Sequence, residues 1–293
     1  MMIYHPFTAS KIAPEDANLP PGRVHHISVS ADDGIQLYGW HVLADGRSAH
    51  NRDDCDRQLA EGGPLVLFFS GNAGNRCYRI PDLTTFTRLG VDVFLVDYRG
   101  YGENEGSPSE EMLAADARAV WNYTVERRKV VPNRIVLYGE SLGGGVAVRL
   151  AAEMSEAGSP PGGLLLRSTF SSLTDTATYH YPWLPVRLLL VDRYPSAKRI
   201  GAVTCPLLLV HGRRDTIVPI EIGRKLFEAA PKKSSIGIEK RFVELPTADH
   251  NDVLSTAEDE FQDAIRQFLE TMNGKWSGRS QELEVRESGV GEP

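Results

Sequence analysis

The chain of 293 residues carries 39 acidic and 32 basic residues, a formal net charge of −7. That balance, with no long Lys/Arg run, gives no general pull toward nucleic acid or an anionic membrane. Three cysteines (Cys55, Cys77 and Cys205) form no CxxC pair, which argues against a disulfide framework and a structural zinc site.

In chain order, residues 1–22 are Pro-containing and irregular. Their opening has no basic stretch followed by an apolar one, so no secretory leader is expected. Val24–Ser30 and Ile35–Val42 suit two strands, and Asp33-Gly34 between them is a hairpin signal. Residues 44–63 are polar without an apolar period and read as a surface loop. A series of short apolar runs follows: Leu65–Phe69, Val91–Val96, Arg134–Tyr138, Leu164–Leu166, Pro206–Val210 and Arg241–Leu245. Such runs suit strands buried on both faces of a parallel sheet. Segments of helical character lie at 109–128, 142–157, 220–230 and 256–272. Alternating strand and helix predicts a doubly wound α/β domain over 23–273, mostly parallel, with helices on both faces and an N-terminal antiparallel hairpin. Residues 169–203, rich in aromatic and aliphatic side chains, separate two strands by more than one helix needs and read as a small cap insertion. Residues 274–293 read as a tail without order. No window approaches the roughly 18 uninterrupted apolar residues of a membrane span, so a cytoplasmic chain without an integral membrane segment is expected.

Gly139-Glu140-Ser141-Leu142-Gly143 follows a strand and opens a helix. That setting makes Ser141 a candidate nucleophile on a sharp turn, with glycines where side chains would collide. The order nucleophile, acid, histidine then selects His250, which alone among the histidines lies downstream of both partners. His211 reads as structural and His180 lies in the cap. Asp215, between a strand end and a helix, is the candidate acid that fixes the imidazole tautomer; Asp175 and Asp192 are rivals from the cap. An oxyanion needs two backbone donors. Leu142 N–H is one, and the loop Ser70–Asn75 supplies the other, from Asn72 with Ala73 as runner-up. Ala73 and the cap residues Phe170, Tyr181 and Trp183 are candidate substrate contacts. No phosphate-binding glycine motif and no metal-ligand cluster is present, so neither a cofactor nor a metal is expected.

Ser70–Asn75, Asp97–Gly102, Gly106–Pro108, Gly139–Gly144, Asp215 with Val218-Pro219, and His250–Asp252 recur in the order of a known group. The chain resembles α/β-hydrolase-domain proteins related to bud-emergence proteins and protein depalmitoylases, over roughly residues 24–269. The resemblance implies the α/β-hydrolase fold and a Ser–His–Asp hydrolase of esters or thioesters. It departs at Ser70, where the group usually has His, and its residues show neither the N-terminal anchor nor the cysteine cluster of many relatives. The expected substrate is a small molecule or an acylated group with an apolar acyl chain. The alternatives are a serine aminopeptidase, which needs a carboxylate such as Glu103, Glu105 or Glu140 to hold a free amine, and a non-catalytic binding protein. The sequence leaves oligomeric state open.

Overall fold

The computed structural model describes residues 3–287, the side chains of 273–287 excepted. Among these residues the main sheet is β1 (Val24–Ser30), β2 (Gln36–Val42), β3 (Leu65–Phe69), β4 (Asp92–Val96), β5 (Ile135–Glu140), β6 (Gly163–Arg167), β7 (Leu207–Gly212) and β8 (Arg241–Leu245). The spatial order is β8-β7-β6-β5-β3-β4-β2-β1. β3 to β8 run parallel, while β1/β2 and β2/β4 pair antiparallel. Gly34, at φ +87°, makes the turn from β1 into β2, where a side chain would be strained.

The helices are α1 (Arg52–Ala60), α2 (Ile80–Arg88), α3 (Glu110–Asn122), α4 (Leu142–Glu156), α5 (Leu173–His180), α6 (Val186–Leu189), α7 (Ser196–Arg199), α8 (Ile220–Ala229), α9 (Val253–Thr256) and α10 (Glu258–Glu287). Alternation along each strand divides the core between the two faces of the sheet. Leu65, Leu67 and Phe69 pack with Leu113 of α3, Val146 of α4 and Leu226 of α8. Val66 and Phe68 pack with Phe86 of α2 and with Phe261 and Ile265 of α10. Each such fully buried side chain contributes about 1.5–3 kcal/mol.

Two sequence expectations need revision. The segment 44–63 contains α1, capped where the Asn51 side chain accepts the Asp54 N–H at 2.9 Å. Only Cys55 and Leu59 of this helix are buried, one turn apart, so its apolar signal is too sparse to register as a period. In the tail, α10 continues to Glu287, and residues 288–293 lie outside the described residues. A helix already anchored by Phe261, Ile265, Phe268 and Met272 extends without a new nucleation step, so an apolar period is not required of its continuation.

The chain leaves β3 to form β4 on one side and returns to form β5 on the other. β3 and β5 are therefore neighbours, with Phe69 opposite Gly139. The loops after the two strands diverge to opposite faces there. Their carboxyl ends open a crevice, the position where doubly wound sheets place ligands.

Candidate active site

At the end of β5 the chain turns into α4 with Ser141 at φ +50°, ψ −114°. That conformation costs a non-glycine residue roughly 1–3 kcal/mol and persists only because its surroundings fix it. The neighbouring glycines are required by contact. A Cβ on Gly139 would lie 2.6 Å from the Gly143 carbonyl oxygen, and one on Gly143 would lie 2.0 Å from the Phe69 carbonyl oxygen. This close approach presses the Ser141 turn against the end of β3. On the other side, the Thr169 hydroxyl donates to the Ser141 carbonyl at 2.7 Å.

Two separate loops, after β7 and after β8, bring the other candidates to the serine. His250, in the loop after β8, has Nε2 3.0 Å from Ser141 Oγ and Nδ1 2.8 Å from Asp215 Oδ2. The Asp215 carboxylate is fully buried, and its Oδ1 accepts the N–H groups of Ile217 at 3.0 Å and Val218 at 2.7 Å. His211 is buried beside it, with Nε2 2.7 Å from the Val218 carbonyl and 3.3 Å from Asp215 Oδ2. The ring hydrogen goes mainly to the nearer carbonyl, and His211 braces the acid without reaching the serine. The rivals are occupied elsewhere: Asp175 by the Ser171 hydroxyl and Lys225, Asp192 by the Tyr4 hydroxyl and the Glu110 N–H.

Burial alone would raise the Asp215 carboxyl, but hydrogen bonds from His211, His250 and Val218 overcome it and hold the group at about 2. Because the native value lies below the ordinary carboxylate value, the associated stabilisation is full above about pH 4 and is lost as pH falls toward 2. Asp215→Asn is therefore expected to lose about 2 kcal/mol of stability at neutral pH. Denaturant unfolding at pH 7 and pH 3 checks this. The gap between wild type and variant should narrow at pH 3, and a gap independent of pH would refute a strongly held carboxylate.

The loop after β3 is held from three directions. The Asn72 carbonyl accepts the Tyr101 hydroxyl at 2.8 Å and the His5 N–H at 3.3 Å. The Ser70 carbonyl accepts the Tyr98 hydroxyl at 2.9 Å, and His5–Pro6 pairs in parallel with Ala73–Gly74. Leu142 opens α4, so its N–H is one of the donors that a helix start leaves without an intrahelical acceptor. The sequence reading missed what steadies this loop. Tyr98 and Tyr101 stand inside a recognised motif, which is the signal that was available. The N-terminal pairing depends on a two-residue strand with no pattern to read.

Also missed is the buried ion network behind Ser141. Arg167 Nη2 lies 2.9 Å from Glu140 Oε1 and Nη1 2.5 Å from Asp82 Oδ1. Arg79 Nε lies 3.1 Å from Glu140 Oε2, and the Gly71 N–H donates to the same oxygen at 3.4 Å. Burial alone would raise the Glu140 carboxyl, but Arg167 and Arg79 outweigh it and hold it below the usual range. Glu140 thereby links β5 to the loop after β3. It is not available to hold a substrate amine, and neither is Glu103, which pairs with Arg76. Glu105 stands exposed.

Of the candidate substrate contacts, Phe170 is buried against Tyr194, with ring centroids 6.2 Å apart. Tyr181 and Trp183 meet edge-on at 6.2 Å and face solvent, Trp183 at 73% exposure. Ala73 is exposed at the edge of the loop after β3. Among the described residues no cluster of three or more His, Cys, Asp or Glu groups fits a metal ion, and no helix is long and apolar enough to cross a membrane.

A parallel sheet with a serine on a strained strand-to-helix turn, in hydrogen-bond reach of a histidine, defines an α/β-fold hydrolase of the esterase type. Residues 65–189 match the family described as serine aminopeptidase, S33. The chain is 40% identical over 268 residues to an uncharacterized protein of Mycobacterium tuberculosis, covering 92% of this chain and 86% of that one. It is 31% identical over 250 residues to the lysophosphatidylserine lipase ABHD12 of Danio rerio, covering 78% of this chain and 64% of that one. An esterase of Pyrococcus furiosus shares the fold with a TM-score of 0.66 at 19% identity, over 92% of this chain and 98% of that one. The chain belongs to the α/β-hydrolase family.

Proposed function

We propose that the chain cleaves carboxylic ester or thioester bonds of apolar acyl groups through Ser141, His250 and Asp215. The observation that carries this reading is the continuous run of contacts from Asp215 Oδ2 to His250 to Ser141 Oγ, at 2.8 and 3.0 Å. Ser141 attacks the acyl carbonyl while His250 takes its proton, and Asp215 stabilises the imidazolium. The N–H groups of Leu142 and Asn72 receive the oxyanion, each donor worth roughly 2.7–4 kcal/mol in the transition state. His250 returns the proton to the leaving group, then activates the water that releases the acid.

The similarity to a lysophosphatidylserine lipase supports an acylated or lipid substrate. The same proposal divides the chain into a hydrolase domain over 23–273 with a cap at 169–203. Three unpaired cysteines support a cytoplasmic setting. The aminopeptidase reading has the description of the matched family in its favour. Against it, Glu140 and Glu103 are already paired with arginines.

The test is a series of p-nitrophenyl esters of rising acyl length, run beside aminoacyl amides. Each buried CH₂ is worth about 0.8 kcal/mol, so kcat/KM should rise roughly threefold to fourfold per carbon until the pocket is full. A flat series would refute the apolar acyl site. Amide turnover exceeding ester turnover would move the aminopeptidase reading ahead.

A further inference from the structure

A second concavity lies outside the triad. It is a groove of about 420 Å³ bounded by α5, α6, α7 and α8. Arg187, Arg193, Lys198 and Lys225 reach it from separate segments, and Asp175 is its carboxylate. Asp175 is already taken by Lys225 at 2.9 Å and by the Ser171 hydroxyl at 2.6 Å. Among the described residues no carboxylate lies within ion-pair distance of Arg187, Arg193 or Lys198. Three uncompensated cations thus converge on one groove of a chain whose net charge is −7. Arg193 is fixed there, its Nε donating to the Leu190 carbonyl and its Nη2 to the Arg187 carbonyl, both at 3.1 Å. The Nη1 edge is left for an acceptor.

A cluster of this kind favours a tetrahedral oxyanion such as phosphate. Guanidinium groups offer paired donors that match phosphate oxygens, and an ammonium group adds a point charge. The surrounding surface indicates what carries the phosphate. Directly after Arg187 come Leu188, 84% exposed, and Leu189, 59% exposed, and beyond them Val191 is 90% exposed. A small soluble phosphate would leave these aliphatic side chains in water. A phospholipid surface would bury them beside its headgroups.

We propose that this groove is a phosphate site and that the phosphate it receives belongs to a lipid headgroup, with Leu188, Leu189 and Val191 entering the acyl boundary. The groove joins the reaction centre through a short stretch of chain. Ser171, at its wall, is two residues from Thr169, which hydrogen-bonds the Ser141 carbonyl. A lipid-bound enzyme would therefore present the cap side of the crevice to the bilayer. The proposal does not require the reaction assigned to Ser141.

The experiment is co-sedimentation of the full chain with phosphatidylcholine vesicles, with and without phosphatidylserine. It is run on wild type, the triple variant R187Q/R193Q/K198Q, and the double variant L188S/L189S. Wild type should partition onto the anionic vesicles, and less so as salt is raised. The triple variant should partition roughly 100-fold less, at about fivefold per basic residue. The double variant should lose vesicle binding while keeping inorganic phosphate binding, read by calorimetry. Thermal unfolding of each variant at the wild-type midpoint confirms that the fold is retained. Equal wild-type partitioning onto neutral and anionic vesicles, or a triple variant that binds like wild type, would overturn the site. Binding of inorganic phosphate without vesicle binding would overturn the lipid assignment. Ser141→Ala should bind vesicles as wild type does, so failure here is distinguishable from failure of the hydrolase reading.

Discussion

Ser141→Ala is expected to lower kcat on an activated ester by roughly 10⁶-fold and to abolish covalent labelling by a fluorophosphonate probe. The size of the effect follows from the geometry. With Oγ gone, His250 has no proton to accept at 3.0 Å, and the acyl-enzyme route is closed. His250→Ala should cost about as much, and the double variant little more, because groups that act as one unit lose their effect together. What remains over water is the contribution of the oxyanion donors and of binding. Intact mass after labelling of wild type and Ser141→Ala gives the first reading, and steady-state kinetics the second. A folded wild type that takes no label, or a Ser141→Ala protein that keeps its turnover, would remove Ser141 from the mechanism and revive the non-catalytic binding reading.

Arg167→Met is the second large effect expected, and it falls on stability before activity. Arg167 is 5% exposed and sits between two buried carboxylates, those of Glu140 and Asp82, with its guanidinium over the rings of Phe261 and Tyr138. Methionine fills similar space but leaves both carboxylates short of their shared cation. Breaking a buried ion network from one side typically costs 3–5 kcal/mol. Since Glu140 adjoins Ser141 and accepts from the Gly71 N–H, the residual folded protein should also show a lowered kcat. Substituting three of its four members together, Arg167→Met with Glu140→Gln and Asp82→Asn, should recover part of the stability without recovering the rate. Denaturant unfolding and kinetics on the single and triple variants separate these outcomes. An Arg167→Met protein within 1 kcal/mol of wild type would mean that the network carries little of the fold.

The line between what the chain shows as text and what it shows only when folded has a consistent cause. Local and periodic information was legible. The apolar runs at Leu65–Phe69 and Leu207–Val210 are strands buried on both faces, and Asp33-Gly34 is the hairpin turn. Glycine at 139 and 143 announced a turn that tolerates no side chain, because that demand is made by neighbours in sequence. That Ser141, His250 and Asp215 would come together was legible from chain order and residue type. Sparse or long-range information was not. α1 has two buried positions and so no period. The strand His5–Pro6 is two residues long and its partner lies beyond residue 70. The ion network joins Arg79, Asp82, Glu140 and Arg167 across more than eighty residues. The cation groove gathers Arg187, Arg193, Lys198 and Lys225 within a chain that is acidic overall. The sequence by itself determined the sheet, the turns and which side chains are proposed to react. Only the tertiary structure decided which charges meet, because a Coulomb interaction depends on distance in space and on the loss of water around it, and neither is written in the spacing of residues along the chain.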